Sequence, residues 1–183
     1  MKTQSAIVVF TGEGKGKTSA GIGLTCRALG AGHKVAFVQF IKSWQVSEDS
    51  FFDTIQPIFK DRLVIYKGGL GFYNAGNMSA ENVTISQHKA AAHETFARVL
   101  EFAISGGFDL IVCDEINNAV HDGLLKVQDI KELINTRSSE TSLCLTGRNF
   151  PRSLIKYADI VSDITKVSHH YDKGIIAQKG IDY

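Results

Sequence analysis

The sequence predicts an α/β fold in which a mainly parallel sheet is covered by helices on both faces, and three observations carry the prediction. Short apolar runs alternate with helical stretches along the chain. The first apolar run breaks directly into a glycine-rich loop, Gly12, Gly14 and Gly16, closed by Lys17 and Thr18. Only two prolines occur, and there is no repeat or low-complexity tract, so residues 1–183 are expected to form one domain.

Residues 6–10 are continuously apolar, as suits a strand buried on both faces. Residues 19–30 carry apolar side chains at Ile22, Leu24, Cys26, Ala28 and Leu29 before Gly30, which reads as a helix with a glycine stop. Further strands are expected at 34–41, 63–66, 110–113 and 143–145, with a last one at 175–178. Helices are expected at 85–105, 126–136 and 151–157. Residues 43–62 and 67–84 read as loop-rich, and long loops in a compact domain tend to be functional or disordered.

With 44% hydrophobic residues, 183 residues suffice for a full core. Twenty basic against 19 acidic residues leave a net charge of +1, so no global field draws the surface to nucleic acid or lipid, and any anion site must be local. The first residues lack the basic-then-apolar pattern of a signal peptide, and no apolar run nears the roughly 20 residues of a membrane span, so a cytoplasmic protein is expected. Cys26, Cys113 and Cys144 are scattered among apolar neighbours and read as buried thiols in a reducing compartment.

A strand, a glycine loop and a helix in that order make a P-loop NTPase core. Glycines let successive N–H groups turn toward phosphate oxygens at the positive end of a helix, a lysine adds charge, and a hydroxyl holds magnesium. Thr11, Gly12, Glu13, Gly14, Lys15, Gly16, Lys17, Thr18 and Ser19 are the expected cradle for the triphosphate of ATP, with Lys17 on phosphate and Thr18 on Mg²⁺. Thr11 occupies the place of the first glycine of the strict pattern. The bland alternative is a glycine-rich turn before an ordinary helix. The second half of such a site is an acidic residue at the end of an apolar strand, supplied by Asp114 and Glu115, which would face opposite sides if the strand persists.

Gly14-Lys15-Gly16-Lys17-Thr18 and Asp114-Glu115 together resemble the P-loop ATP:corrinoid adenosyltransferases. Matching segments run from about Val8 to Tyr183. They include Arg27-Ala28-Leu29-Gly30, Val38-Gln39-Phe40-Ile41-Lys42, Ser47-Glu48, Thr146-Gly147-Arg148, Ala158-Asp159 and the C-terminal Ala177-Gln178-Lys179-Gly180-Ile181-Asp182-Tyr183. The resemblance implies a recombinase-like fold, a homodimer, a flavoprotein reductant, and transfer of the 5′-deoxyadenosyl group of ATP to the cobalt of a reduced corrinoid, with triphosphate leaving. Lys15, Lys17 and Arg27 would then stabilise charge on the leaving polyanion. No side-chain nucleophile is needed, because reduced cobalt is itself the nucleophile.

The family's Gly-x-Gly-Phe-Thr-Trp loop reads Gly69-Leu70-Gly71-Phe72-Tyr73-Asn74 here. Phe72 matches, Asn74 replaces the tryptophan, and Tyr73 is expected to supply the missing ring in the corrinoid site. A Lys-His pair of the family reads Ser168-His169, with His170 beside it, and these histidines read as surface or capping residues. Two other functions stay open at this point. One is a nucleotide-binding protein that has lost corrinoid chemistry, suggested by Asn74 and Ser168. The other is an ATPase or kinase in which Glu48 or Glu115 would position the attacking water or hydroxyl.

Overall fold

β1 (Ile7–Thr11) is the last strand but one of a six-stranded, all-parallel sheet in the computed structural model, which describes residues 5–71, 73 and 83–182. The other strands are β2 (Val35–Gln39), β3 (Leu63–Lys67), β4 (Leu110–Asp114), β5 (Ser142–Thr146) and β6 (Ile160–Asp163), in the order β3-β2-β4-β5-β1-β6. The strand that feeds the glycine loop is therefore separated by β5 from the strand that ends in Asp114.

Every residue of β2 and β4 is buried, so these central strands read as unbroken apolar runs rather than alternations. Alternation survives as a choice between two cores. Val35, Phe37, Leu63, Leu110, Val112 and Cys144 face α1 (Lys17–Gly30) and α2 (Ser47–Phe59). Ala36, Val38, Ile111, Cys113, Leu143 and Leu145 face the other way, where the core includes Ala92, Phe96 and Val99 of α3 (Ile85–Ser105) and Ile130 and Leu133 of α5 (Val127–Thr136). A short α4 (Ile116–His121) follows β4. Thr84 caps α3 by accepting from the N–H of Gln87, and Gly106 ends it in the left-handed conformation.

The structure departs from the sequence expectation in several places, Cys26 among them, which is exposed where a buried thiol is expected. Residues 47–59 form α2 where loop was expected. Of its aromatic residues only Phe52 is buried, against Phe37 with ring centroids 4.9 Å apart, and Pro57 interrupts the pattern from within. The last strand is β6, not 175–178. β6 is short and half exposed because it has a single partner, β1, so little apolar periodicity marks it. Ile175 and Ile176 lie exposed in an irregular C-terminal tail. Residues 152–157 form a 3₁₀ helix in place of the expected α-helix. No helix among the described residues is long and apolar enough to cross a membrane.

Candidate functional site

The C-terminal ends of the parallel strands converge on one edge of the sheet, and the glycine loop lies there between β1 and α1. Gly12 and Gly16 take φ of 98° and 113°, values that L side chains rarely adopt, and Gly16 leaves α1 without a side-chain cap. The first-turn N–H groups of a 14-residue helix thus face the loop unclaimed by any capping side chain, an arrangement suited to an anion. Lys17 Nζ donates to the carbonyl oxygens of Gly12 (2.7 Å) and Gly14 (2.6 Å), which holds the loop closed around its own lysine. Burial, reinforced by Arg148, lowers the Lys17 pKa.

The segment after β6 packs under this loop. The N–H of Gly14 donates to the carbonyl of Ile164 (2.6 Å), and the N–H of Ile164 donates to that of Thr11 (2.8 Å). A Cβ on Gly14 would sit 2.6 Å from that Ile164 oxygen, so glycine is required here by contact. Farther along the tail, Asp182 pairs with Lys15 at 2.7 Å and with His170 at 3.2 Å. The Lys15 hydrogen bond, together with the Gln178 N–H, lowers the Asp182 pKa. His169 accepts from the N–H of Tyr171, so the expected capping role of this histidine is observed.

Asp114, wholly buried at the end of β4, forms the other half of the site. Its Oδ1 accepts from Thr146 Oγ1 (2.7 Å), and its Oδ2 lies 3.4 Å from Thr18 Oγ1 and 3.6 Å from Lys42 Nζ. Lys42 also binds Glu48 at 2.8 Å. Burial pulls the Lys42 pKa down, but Asp114, Glu115 and Glu48 outweigh it and raise the value. The strand ends at Asp114, and Glu115 turns into α4 with φ of 62°. The two carboxylates consequently do not alternate across a continuing strand. Desolvation first, and Asp114 next, push the Glu115 pKa from an ordinary 4.5 to about 7. Glu115 Oε2 is buried without a hydrogen-bond partner. Hydroxyl and carboxylate oxygens from Thr18, Asp114 and Glu115, one of them unpartnered, fit a hard divalent cation such as Mg²⁺.

Most of the expected site residues are therefore brought together, and Arg27 is not. It lies exposed in the last turn of α1, ten residues and about 15 Å along the axis from Lys17. There it borders a groove lined by Phe10, Ala20, Gly23 and Leu24. Phe72 and Asn74 lie outside the described residues. Tyr73 is half-buried, its ring 5.6 Å from that of His88 on α3. Lys42, Gln39, Thr146 and the tail contacts were not assigned to the site from sequence. The available signal was the repeated pattern of an apolar strand ending in a polar residue, seen at Gln39, Asp114 and Thr146 alike.

The family model for the ATP:corrinoid adenosyltransferase BtuR/CobO/CobP matches residues 3–183. A corrinoid adenosyltransferase of Escherichia coli is 33% identical over 178 residues, spanning 97% of this chain and 85% of that protein. The same figures hold for one from Salmonella typhimurium. One from Pseudomonas aeruginosa is 30% identical over 181 residues, with 98% and 84% covered.

Proposed function

This chain belongs to the ATP:corrinoid adenosyltransferase family, and we propose that its site transfers the 5′-deoxyadenosyl group of ATP to the cobalt of a reduced corrinoid, releasing triphosphate. The observation that carries the residue assignment is the 3.4 Å approach of Thr18 Oγ1 to Asp114 Oδ2, which joins the loop and the acidic strand end in one cradle.

In the reaction the electron pair of Co(I) forms the cobalt–C5′ bond. The C5′–oxygen bond breaks, its electron pair leaves on triphosphate, and the metal becomes formally Co(III). The protein's task is to stabilise charge growing on that oxygen. Lys17 is poised for it, since among the described residues its ammonium binds loop carbonyls and can exchange them for phosphate oxygens. Lys15 adds a second charge once it leaves Asp182. Thr18, Asp114 and Glu115 would hold Mg²⁺, which would supply neutralisation of the polyphosphate. Arg27, expected to add charge for the polyphosphate, borders the groove of Phe10, Ala20, Gly23 and Leu24 near the far end of α1. Glu48, which a water-activating ATPase or kinase would need free, is engaged with Lys42, and this favours adenosyl transfer over phosphoryl transfer.

The proposal places the corrinoid against the loop of Phe72, Tyr73 and Asn74, and it includes a cytoplasmic homodimer served by a flavoprotein reductant, as the family resemblance suggests. The deciding experiment is an anaerobic assay with ATP, Mg²⁺ and chemically reduced corrinoid, following the cobalt–carbon absorbance and the phosphate product together. Corrinoid-dependent, equimolar triphosphate is expected. Release of orthophosphate at a rate indifferent to corrinoid would overturn the reading.

A further inference from the structure

Among the described residues, four side-chain atoms are buried without a hydrogen-bond partner: Gln39 Nε2, Gln39 Oε1, Glu115 Oε2 and Asn117 Oδ1. A buried polar group left unpaired costs free energy, so such groups are few and call for an explanation. Here they are not scattered. All of them belong to the C-terminal end of β2 or to the junction of β4 and α4. Gln39 is the extreme case, 1% exposed with neither end of its amide satisfied.

The direction of its side chain follows from the sheet. Phe37 faces the core shared by α1 and α2, and Gln39, two residues later on the same strand, faces the same way. In the parallel register Gln39 lies beside Asp114, and the N–H of Phe40 donates to the Asp114 carbonyl at 3.0 Å. Val112 also faces the α1–α2 core, so Asp114 points with Gln39. Asp114 Oδ2 in turn meets Thr18 at the start of α1. Gln39 thus occupies the floor of the proposed cation and polyphosphate cradle, one strand over from Asp114.

We propose that Gln39 is a ligand-binding residue of the ATP site, its amide oxygen accepting a hydrogen bond from water carried by the divalent cation. An amide suits the position better than a third carboxylate. It accepts from cation-bound water without adding another negative charge beside Asp114 and Glu115, which already burden the ligand-free fold. Satisfaction of the amide is deferred until Mg²⁺·ATP arrives.

The inference rests on the ATP half of the proposed function and is independent of corrinoid transfer, so its test needs no corrinoid. Mn²⁺ replaces Mg²⁺, its binding with ATP is titrated by electron paramagnetic resonance, and the melting temperature is measured without ligand, for wild type, Gln39→Met and Gln39→Glu. Gln39→Met removes the unpaired amide at similar volume, so its ligand-free melting temperature should rise by about 2 to 6 °C. Its Mn²⁺·ATP affinity should fall about tenfold. Gln39→Glu should show the reverse split, a lower melting temperature with Mn²⁺·ATP affinity within about threefold of wild type, because a carboxylate also accepts from the water. A purely packing role would move both variants' binding and stability together. The proposal is overturned if Gln39→Met keeps wild-type Mn²⁺·ATP affinity, or if its melting temperature falls, since a fall would mean that the amide has protein partners in the ligand-free fold. A wild type that binds Mn²⁺·ATP but transfers nothing to a corrinoid would sink the adenosyl-transfer reading without touching this one.

Discussion

The glycine loop and the acidic floor face each other across the site, and they are built by different means. The loop is mostly backbone: glycines at positive φ, a helix start without a side-chain cap, and a lysine satisfied by carbonyls of its own segment. The floor is side chains delivered by three strands, Gln39 from β2, Asp114 from β4 and Thr146 from β5, deeply buried and only partly satisfied. The loop is complete without ligand, whereas the floor holds two neighbouring carboxylates and orphaned amides that a cation would relieve. A preformed anion cradle thus opposes a cation pocket that carries a standing cost in the empty protein.

The largest test of this contrast is Lys17→Ala. It removes the one ammonium that can move from loop carbonyls to phosphate, and ATP affinity should drop on the order of a hundredfold by calorimetry. Unchanged affinity would mean that the loop is not the phosphate site. Glu115→Gln should come next, weakening Mg²⁺-dependent turnover by about tenfold or more at limiting cation, since an amide binds a hard cation less well than a carboxylate. The same variant should be the more stable one in the absence of ligand.

The cost of the floor has a pH signature. Because the folded-state pKa of Glu115 is raised, its protonated form favours folding. The contribution is fully present below pH 4.5 and is lost as pH rises toward about 7. Ligand-free stability should therefore fall over that window by up to about 3 kcal/mol, read by urea denaturation. Glu115→Gln should flatten the slope, and a slope that survives the substitution would place the burden elsewhere. Gly14→Ala probes the loop side, where the added methyl group meets the Ile164 carbonyl. Its cost should be about 1 to 3 kcal/mol of stability, with ATP binding reduced in step. The smallest effect belongs to Asp182→Asn, which frees Lys15 from a partly exposed pair and should change ATP affinity by no more than about threefold.

The same contrast explains what could be read from the sequence. The loop is contiguous, so Gly12 through Thr18 announced both their conformation and their chemistry, and the helix that follows was legible with them. Asp114 was legible because it terminates an apolar strand. Gln39, Lys42 and Thr146 were assigned no role, because what makes them neighbours of Asp114 is the register of β2, β4 and β5, which no local pattern encodes. Arg27 shows the limit of a motif: it matches the family in sequence, but ten residues of helix set it apart from Lys17, a separation that the match does not convey. The parallel core emerged from unbroken apolar runs. α2 and β6 did not: Pro57 interrupts α2 from within, and β6, mostly exposed and paired with β1 alone, leaves no apolar period.

The order of the strands has a consequence for synthesis on the ribosome. β1 is made among the first residues, yet its neighbours in the sheet are β5 and β6, with Ile7 beside Leu143 and Val8 beside Ile160. A vectorially emerging chain can pair β2 with β3 and then β4 while β1 still waits for both of its partners. The glycine loop is thus translated early and enclosed last, when the segment around Ile164 leaves the exit tunnel. Nascent chains stalled before residue 140 should hold a partial sheet of β2, β3 and β4 and no grip on ATP, and nucleotide retention should appear abruptly once β6 has been released.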